Sequence, residues 1–318
     1  MKKTIPAITE PETIKRYVLQ FTNSVDKHLV NKVTSGVYSN SSLLAITKDW
    51  NMFVEFCQTK SVSPLPASIT AVRLYIEMAS LNRKYSTVKR YVVTISLIHK
   101  VLSLADPTKN SRVQTALGAI RLNKVGDLKS TQAFKREDLD ALSKALQTSP
   151  SYKDWRDLAI YHVMYEGLLK RFELRELSLQ DITIEQESMM LLVGGDEIVL
   201  SRTASLSLSR WLNVRGSLGQ YVFTAIDRHG NLSFDQLNDS SIYRILRSAS
   251  DMLGLSYTFS GQSLRVGAAQ ELAKQGLKIR EIQDAGRWLS PAMPYQYVGN
   301  DAQAELEKMR YLSFKYID

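Results

Sequence analysis

Three segments in the second half of the chain carry side chains that could act on a phosphate group. They occupy residues 165–174, 260–269 and 285–300, and the second is a glycine-flanked stretch typical of a helix start. Ammonium and guanidinium groups bind phosphate oxygens, and a tyrosine hydroxyl can attack phosphorus to form a covalent intermediate. The candidate catalytic residues in these segments are Lys170, Arg171, Glu173, Gln262, Arg265, Trp288 and Tyr297.

Each segment taken alone also has a purely structural interpretation. Buried arginines often neutralise a carboxylate such as that of Glu173, and Tyr297 could be a core aromatic residue whose hydroxyl is hydrogen-bonded. No single segment decides between the two interpretations. The order and spacing in which the three segments occur together are more informative than any one of them.

That order and spacing resemble the catalytic domain of the tyrosine site-specific recombinases of the phage-integrase type, and the Cre-like branch most closely. In that family an arginine precedes a glutamate by three residues, and a later His-x-x-Arg box opens a helix. A Trp or His follows, with the nucleophilic tyrosine nine positions beyond it. Here Arg265 corresponds to the box arginine and Trp288 to the Trp/His position, and Tyr297 lies nine residues after Trp288. The resemblance covers about residues 35–315.

The resemblance implies a covalent mechanism of strand exchange. The tyrosine oxygen attacks the scissile phosphate, which leaves a 3′-phosphotyrosyl link and a free 5′-hydroxyl. Two guanidinium groups bind the nonbridging oxygens, where charge accumulates in the transition state. A histidine and the Trp/His residue complete this cradle, and a lysine on a β-hairpin protonates the 5′-oxygen leaving group.

The sequence departs from this pattern at three positions. Lys170 stands three residues before Glu173, where the family has its first arginine, and Arg171 follows one position later. A one-residue shift on a helix rotates the side chain by ~100°, so Arg171 is not an equivalent replacement. Gln262 occupies the histidine position of the box and cannot act as an acid or base at neutral pH. The expected hairpin at residues 193–198 carries acidic residues where the family has its lysine.

The elements that must position these residues are mostly helical. Apolar residues recur at three- and four-residue spacings over residues 43–56 and 69–78, and a third helix is predicted over residues 86–104. In the second half, helices are predicted over residues 134–146 and 155–169 and a short antiparallel β-meander over residues 182–200. We therefore expect a mostly α fold with a small antiparallel β-sheet inside its second domain.

A domain boundary is predicted at residues 123–133, which are polar and show no apolar periodicity. We expect a flexible segment at residues 1–34, a helical, SAM-like DNA-binding domain at residues 35–122, and a catalytic domain at residues 134–318. The resemblance implies that the two domains form a C-shaped clamp around duplex DNA, and that the catalytic domain ends in an exchange helix.

The basic charge of the chain is concentrated in its first part. The 318 residues carry a formal net charge of +9, and residues 1–130 contain 19 Lys and Arg against 8 Asp and Glu. Such an excess is typical of a surface that binds a polyanion, although a solvated basic face is the simpler alternative.

No apolar run reaches the ~18 residues that a membrane span requires. One cysteine and four scattered histidines argue against a disulfide framework and a metal cluster. We expect a cytoplasmic, nucleoid-associated bacterial protein that binds DNA and needs neither metal nor cofactor.

Two helix starts are the expected DNA contacts, because they concentrate donors suited to phosphates and base edges. These residues are Lys84, Ser86, Thr87, Lys89 and Arg90 in the first domain and Asn238, Ser240, Ser241 and Arg244 in the second. The closing segment, residues 301–316, is amphipathic, with Leu306, Met309, Leu312 and Tyr316 on or near one face. The resemblance implies that this helix docks into a neighbouring subunit and links a DNA-bound dimer into a tetramer on a short inverted-repeat site.

The function implied by the resemblance is site-specific DNA recombination through a 3′-phosphotyrosine and a Holliday-junction intermediate. The three substituted positions leave open a second interpretation, a DNA-binding or regulatory relative that assembles without cutting. A third is a type IB topoisomerase-like enzyme, which shares the chemistry but relaxes DNA as a monomer. A covalent adduct on Tyr297 separates the first interpretation from the second, and tetrameric synapsis separates both from the third.

Overall fold

The structure, a computed structural model, describes residues 5–124, 126, 131–185 and 188–313. The chain divides into two units, Met1–Lys129 and Ser130–Asp318, and each has its own hydrophobic core. The division falls within the predicted linker, part of which lies outside the described residues. No helix in the described ranges is long and apolar enough to cross a bilayer.

Helices build the first unit. They are α1 (Pro11–Phe21), α2 (Lys27–Val33), α3 (Asn40–Thr59), α4 (Ile69–Asn82), α5 (Tyr85–Val101) and α6 (Ser111–Asn123), with a 3₁₀ turn at Pro107–Lys109. Ser39, Ser68 and Asn110 stand directly before α3, α4 and α6, and each side chain accepts a backbone N–H from the first turn. Phe53 of α3 and Tyr75 of α4 meet inside the core with ring centroids 5.1 Å apart.

Residues 5–34 contain α1 and α2, whereas the sequence predicts a flexible segment over residues 1–34. Tyr17 and Phe21 of α1 are buried in the core of the first unit. The indole Nε1 of Trp50 donates to the carbonyl oxygen of Phe21 at 3.2 Å. The expectation is therefore corrected for these residues. The two helices are short, so their burial depends on contacts with distant residues such as Trp50 more than on a long local pattern.

The second unit is mostly helical and contains two small antiparallel sheets. Its helices are α7 (Arg136–Leu146), α8 (Tyr152–Glu166), α9 (Arg171–Glu176), α10 (Arg202–Arg215), α11 (Asp239–Met252), α12 (Gly261–Lys274), α13 (Ile279–Ala285), α14 (Ala292–Tyr297) and α15 (Asp301–Ser313). Its strands are β1 (Ile182–Ile184), β2 (Met189–Val193), β3 (Asp196–Val199), β4 (Thr224–Ile226) and β5 (Leu232–Gln236). The order β1–β2–β3 confirms the predicted meander, and Leu191 pairs with Ile182 on one side and Ile198 on the other. The β4–β5 hairpin was not predicted, because its strands are too short to show a clear alternation.

The helix α8 lies in the core of the second unit, and most of its residues are buried. It ends at Glu166 rather than at residue 169 as predicted, because the chain turns there and Leu168 adopts a φ of +47°. Lys170 then becomes the residue that precedes α9. Residues 167–169 therefore form a turn between α8 and α9, called the α8–α9 turn below, and are not the last turn of a helix as predicted.

A glycine holds α12 against the start of the second unit. A Cβ built on Gly267 would lie 1.6 Å from the carbonyl oxygen of Phe134, so only glycine permits this approach. The N–H of Phe134 donates to the carbonyl oxygen of Ser263 at 2.9 Å. Phe134 is buried and precedes α7, which begins at Arg136 and not at residue 134 as predicted. This packing sets the position of α12, which carries the predicted box residues.

The last described helix, α15, keeps part of its apolar face exposed. Ala304 is buried, whereas Leu306 is 52% and Met309 is 54% exposed. The side chain of Leu312 and the whole of Tyr316, which the sequence places on or near the same face, lie outside the described residues. The described part of α15 therefore presents apolar side chains that its own unit does not cover.

Candidate active site

Tyr297 is the last residue of α14, and its side chain is buried. Its hydroxyl accepts a hydrogen bond from the Nε2 amide of Gln262 on α12. Its carbonyl oxygen accepts a second bond from the Nε2 of Gln270, at 2.9 Å, which ties the end of α14 to the same helix. Burial raises the pKa of the Tyr297 phenol, and Arg265 and the amide of Gln262 partly oppose that rise. The free protein therefore holds an oriented, neutral phenol near neutral pH.

Arg265 lies on α12 and is only 6% exposed. Its Nη1 donates to the carbonyl oxygen of Leu168, and its Nη2 donates to that of Gly286 at 2.7 Å. These bonds hold the guanidinium between the α8–α9 turn and the end of α13. Desolvation lowers the pKa of Arg265, but arginine stays protonated in proteins, so the site retains a buried cation.

The indole of Trp288 contacts both Arg265 and Tyr297. The Cζ of Arg265 lies 4.4 Å from the ring centre, and the ring of Tyr297 meets the indole edge to face with centroids 5.6 Å apart. Gly286 leaves the space for the ring, since a Cβ built there would lie 1.9 Å from it. The structure therefore brings four of the predicted catalytic residues into one cluster, Gln262, Arg265, Trp288 and Tyr297.

Lys170 and Glu173 form a second group next to this cluster. The buried Glu173 accepts the backbone N–H of Lys170 at 2.7 Å and its Nζ at 2.8 Å. Burial alone would raise the pKa of Glu173, but hydrogen bonds from Arg287 and Lys170 outweigh it and lower that pKa. Because Lys170 is the N-cap residue of α9, its spacing of three residues from Glu173 is that of a helix-capping glutamate.

Arg171 contacts a different element. It is exposed at the first position of α9, and its stem lies against Gly261 at the start of α12. A Cβ built on Gly261 would come within 2.7 Å of the Cγ of Arg171, so this glycine makes room for the arginine. The two adjacent cations therefore point to different partners, Lys170 to Glu173 and Arg171 to the first turn of α12.

Arg287, which the sequence analysis did not single out, joins the two groups. Its Nε and Nη2 donate to the carboxylate of Glu173 at 3.3 and 3.0 Å, and its Nη2 also reaches the carbonyl oxygens of Gly167 and Leu168 at 2.9 and 3.3 Å. The carbonyl oxygen of Leu168 thus accepts bonds from both Arg265 and Arg287. The position of Arg287 directly before Trp288 was the only hint of a role that the sequence offered. Its contact with Glu173 could not be predicted, because Glu173 lies 114 residues earlier.

The turn of the β2–β3 hairpin lies beside Arg287. A Cβ built on Gly194 in this turn would lie 3.8 Å from the Cδ of Arg287. A cavity of about 330 Å³ adjoins the turn, and its acidic lining residues are Glu166, Asp196, Glu197 and Asp284. No lysine occurs in residues 171–273, so this hairpin offers no ammonium group to a leaving oxygen.

The predicted DNA contacts of the first unit lie at the start of α5. Lys84, Ser86 and Lys89 are exposed, and Thr87 is half-buried. Arg90 differs from them, because its Nε and Nη2 form a bidentate pair with the buried carboxylate of Asp49 at 2.7 and 2.8 Å. That hydrogen-bonded pair raises the pKa of Arg90. The Arg90 guanidinium thus has a structural partner, whereas its neighbours present their polar groups to solvent.

The predicted contacts of the second unit lie at the start of α11. Asn238 caps this helix by accepting the N–H of Ser241 at 2.7 Å, and the Nη2 of Arg244 donates to the hydroxyl of Ser241 at 3.0 Å. Ser240 and Arg244 are exposed. The structure therefore brings these residues together on one helix turn, where Asn238 and Ser241 also stabilise the helix end.

Comparisons with known proteins find similarity over most of the chain. The sequence model of the Phage integrase family matches residues 132–304. The chain is 26% identical to the recombinase Cre of Escherichia phage P1 over 285 residues, which are 81% of this chain and 82% of that protein. It is also 26% identical to an integrase/recombinase XerD homologue of Selenomonas ruminantium over 279 residues, 82% of each chain.

Solved structures share the fold at lower sequence identity. The XerH site-specific recombinase, in its post-cleavage complex with a palindromic difH substrate, superposes with a TM-score of 0.63. The match covers 97% of this chain and 90% of XerH at 13% identity. The helical arrangement with its small antiparallel sheet is therefore a known one.

Proposed function

The chain belongs to the phage integrase family of tyrosine recombinases, and on that premise we propose that it is a site-specific DNA recombinase that cleaves and rejoins strands through Tyr297. The arrangement of Arg265, Trp288 and Tyr297 carries this proposal. It puts a nucleophile and a fixed cation against one indole ring. The guanidinium of Arg265 donates to two backbone carbonyl groups, and such a fixed, buried cation beside a phenol suits the binding of a phosphate.

The proposed chemistry begins with attack by the Tyr297 oxygen on the scissile phosphorus. The bond to the 5′-oxygen breaks as the bond to tyrosine forms, and the strand is held as a 3′-phosphotyrosine. Reversal of this step by a 5′-hydroxyl from another strand rejoins the DNA without an external energy source. Burial favours the protonated phenol, whereas Arg265 favours the phenolate, so we assign to Arg265 the stabilisation of the phenolate as its proton passes to water.

We assign the binding of the nonbridging phosphate oxygens to Arg265 and Lys170. A guanidinium has five N–H donors, so Arg265 can keep its bonds to the carbonyl groups of Leu168 and Gly286 and still donate to phosphate. Lys170 acts as a point charge rather than a two-pronged donor. Gln262 orients the hydroxyl of Tyr297 as a hydrogen-bond donor, and proton transfer to the 5′-oxygen is assigned to water because the amide cannot supply a proton.

We further propose that the substrate is duplex DNA with a short inverted-repeat site, bound by dimers that pair as a tetramer. The excess of basic residues in the first unit and the exposed polar residues at the start of α5 support DNA binding by this unit. The exposed Leu306 and Met309 of α15 support docking of this helix on a neighbouring subunit. The relatives act as recombinases, and XerH does so on a palindromic site. On this proposal the protein works at the nucleoid of a bacterial cytoplasm, and residues 35–122 and 134–318 act as its DNA-binding and catalytic domains.

A covalent-adduct assay tests the proposal. Nicked duplexes built from the DNA that flanks the gene trap a cleaved strand, and the adduct is scored by its resistance to SDS. The unaltered chain should form an adduct that Tyr297→Phe abolishes while the variant retains its DNA affinity, because the lost hydroxyl is needed for chemistry and not for phosphate binding. Lys170→Arg and Gln262→His are assayed beside it, because they restore the arginine and the histidine that the family has at these positions.

Two results would contradict the proposal in different ways. An adduct that persists in Tyr297→Phe would assign the nucleophile to another residue. No adduct from the unaltered chain, with one from Lys170→Arg or Gln262→His, would identify a DNA-binding relative whose chemistry has lapsed. Relaxation of supercoiled DNA by a monomer, without synapsis, would instead indicate topoisomerase-like activity.

A further inference from the structure

Two cations share one buried carboxylate beside the candidate active site. The Nζ of Lys170 lies 2.8 Å from Oε1 of Glu173, and Arg287 contacts both oxygens of the same group. Either cation alone would neutralise Glu173. Lys170 is also the residue to which the proposed function assigns a phosphate oxygen, so Glu173 competes with the phosphate for its ammonium group.

Arg287 is fixed in place to a degree that Lys170 is not. Besides Glu173, its guanidinium donates to the carbonyl oxygens of Gly167, Leu168 and Ala285, and its side chain is 10% exposed. Its backbone has a φ of +53°, in the left-handed region that residues other than glycine rarely adopt. This conformation persists because the contacts of the guanidinium hold it. The side chain of Lys170, in contrast, is 34% exposed, and its ammonium group contacts Glu173 and, at 5.6 Å from the ring centre, Phe172.

We propose that Arg287 is a positioning residue, which keeps Glu173 neutralised so that the ammonium group of Lys170 can leave it and bind the scissile phosphate. The proposal rests on the proposed function, which supplies the phosphate. When Lys170 moves to DNA, Glu173 keeps two hydrogen bonds from Arg287, at 3.0 and 3.3 Å. Without Arg287, the same movement would leave a buried carboxylate without a counter-ion, which is strongly unfavourable.

The same contacts link Arg287 to the cluster around Tyr297. The carbonyl oxygen of Leu168 accepts a bond from Arg287 and another from Arg265. The carbonyl oxygen of Ala285 accepts a bond from Arg287 at 3.1 Å, next to the Gly286 carbonyl that Arg265 holds. Arg287 thus connects the chain segment that positions Trp288 to the turn that precedes Lys170, and it does so without needing to touch DNA.

A rescue experiment separates this role from a purely structural one. Arg287→Gly removes the guanidinium but suits the positive φ, so the backbone can keep its course. In single-turnover cleavage of the nicked duplex, we expect its rate to fall by about 10²-fold, the size typical of losing one preorganised donor. Adding Glu173→Gln to Arg287→Gly removes the charge that captures Lys170 and should recover most of the rate, since the amide oxygen can still cap α9. Arg280→Gln, an exposed arginine of α13, is the matched control.

A second readout does not require cleavage. The amine of Lys170 is labelled with acetic anhydride at pH 8 in the DNA-free protein, and its modification rate is measured by peptide mass spectrometry. We expect the rate to fall several-fold in Arg287→Gly, where Lys170 is the remaining cation of the pair, and to recover in the double variant.

The two readouts fail in distinguishable ways. Unchanged labelling in Arg287→Gly, or a cleavage defect that Glu173→Gln does not relieve, would overturn the proposal and leave Arg287 a structural residue. If the unaltered chain forms no adduct, the proposed function fails, while the labelling rates still decide whether Arg287 releases Lys170. Thermal unfolding of every variant confirms that the compared proteins are folded.

Discussion

The guanidinium carbon of Arg265 lies 4.4 Å from the centre of the Trp288 ring, and the phenol ring of Tyr297 packs edge to face on the same indole. A cation over an indole face is an attractive arrangement, worth about 0.5–2 kcal/mol. The indole contacts both the buried cation and the nucleophile, so it helps to set the spacing between them.

This relationship predicts the effect of truncating the ring. Trp288 is half-buried, so Trp288→Ala should destabilise the protein by less than the ~3–5 kcal/mol of a fully buried aromatic truncation. It should also slow adduct formation by Tyr297, because Arg265 and the phenol lose their common support. Trp288→Phe keeps an aromatic face and should retain most of both properties. Denaturant unfolding and single-turnover cleavage measure the two effects, and equal rates for the two variants would argue against a spacing role.

Gln262 has no group that titrates near neutral pH, so its replacement by histidine should make the cleavage rate depend on pH. Gln262→His should raise the cleavage rate at neutral pH by ~10²-fold or more, because an imidazole can exchange protons where the amide cannot. The pH–rate profile of the variant should gain an inflection near ~6.5, the ordinary histidine value, and the unaltered chain should show none there. Initial rates from pH 5 to 9 measure this. A variant profile without the inflection would show that position 262 only orients Tyr297.

Glu173 predicts loss of stability in acid. Hydrogen bonds from Arg287 and Lys170 lower the pKa of Glu173 below its ordinary value of 4.5, so the folded state favours the carboxylate. The stability from this shift is complete above the unfolded-state pKa and is lost as the pH falls through the folded-state pKa. At pH 7 the free energy of unfolding of the unaltered chain should exceed that of Glu173→Gln by about 1–3 kcal/mol, the range for hydrogen bonds to a charged group. That difference should shrink below pH 4.5, and a difference that is constant from pH 7 to 3 would contradict it.

Two neighbouring cations of α5 predict opposite results. Arg90→Gln should destabilise the first unit by about 1–3 kcal/mol, because it removes the bidentate partner of the buried Asp49. Lys89→Gln should leave unfolding unchanged and weaken DNA binding, with the slope of log K against log salt reduced by about 1. Thermal melts and salt-dependent binding isotherms distinguish the two. If Arg90→Gln weakened DNA binding without changing stability, Arg90 would be a DNA contact and not the structural partner of Asp49.

Several parts of the fold were predictable because their causes are local. The meander over β1–β3 follows from short apolar runs around two glycines, and the start of α5 was predicted to within a residue. The helix break after α8 was missed, because apolar residues continue through the turn to Leu169. Gly167, the C-cap residue, was the local stop signal, and the positive φ of Leu168 is visible only in the structure. Helices α1 and α2 were missed for a related reason, since their burial depends on partners in α3.

The sequence by itself determined which residue types are present for phosphate chemistry and in what order, because a motif is a matter of spacing along the chain. It showed that a tyrosine follows a tryptophan by nine positions, and that a lysine, a glutamine and an acidic hairpin stand where the family has other groups. Only the tertiary structure decided which of these groups meet. Arg287 and Glu173 are 114 residues apart in sequence, and their contact exists because α8, α9 and α13 pack so that one arginine reaches a buried carboxylate and two turn carbonyls.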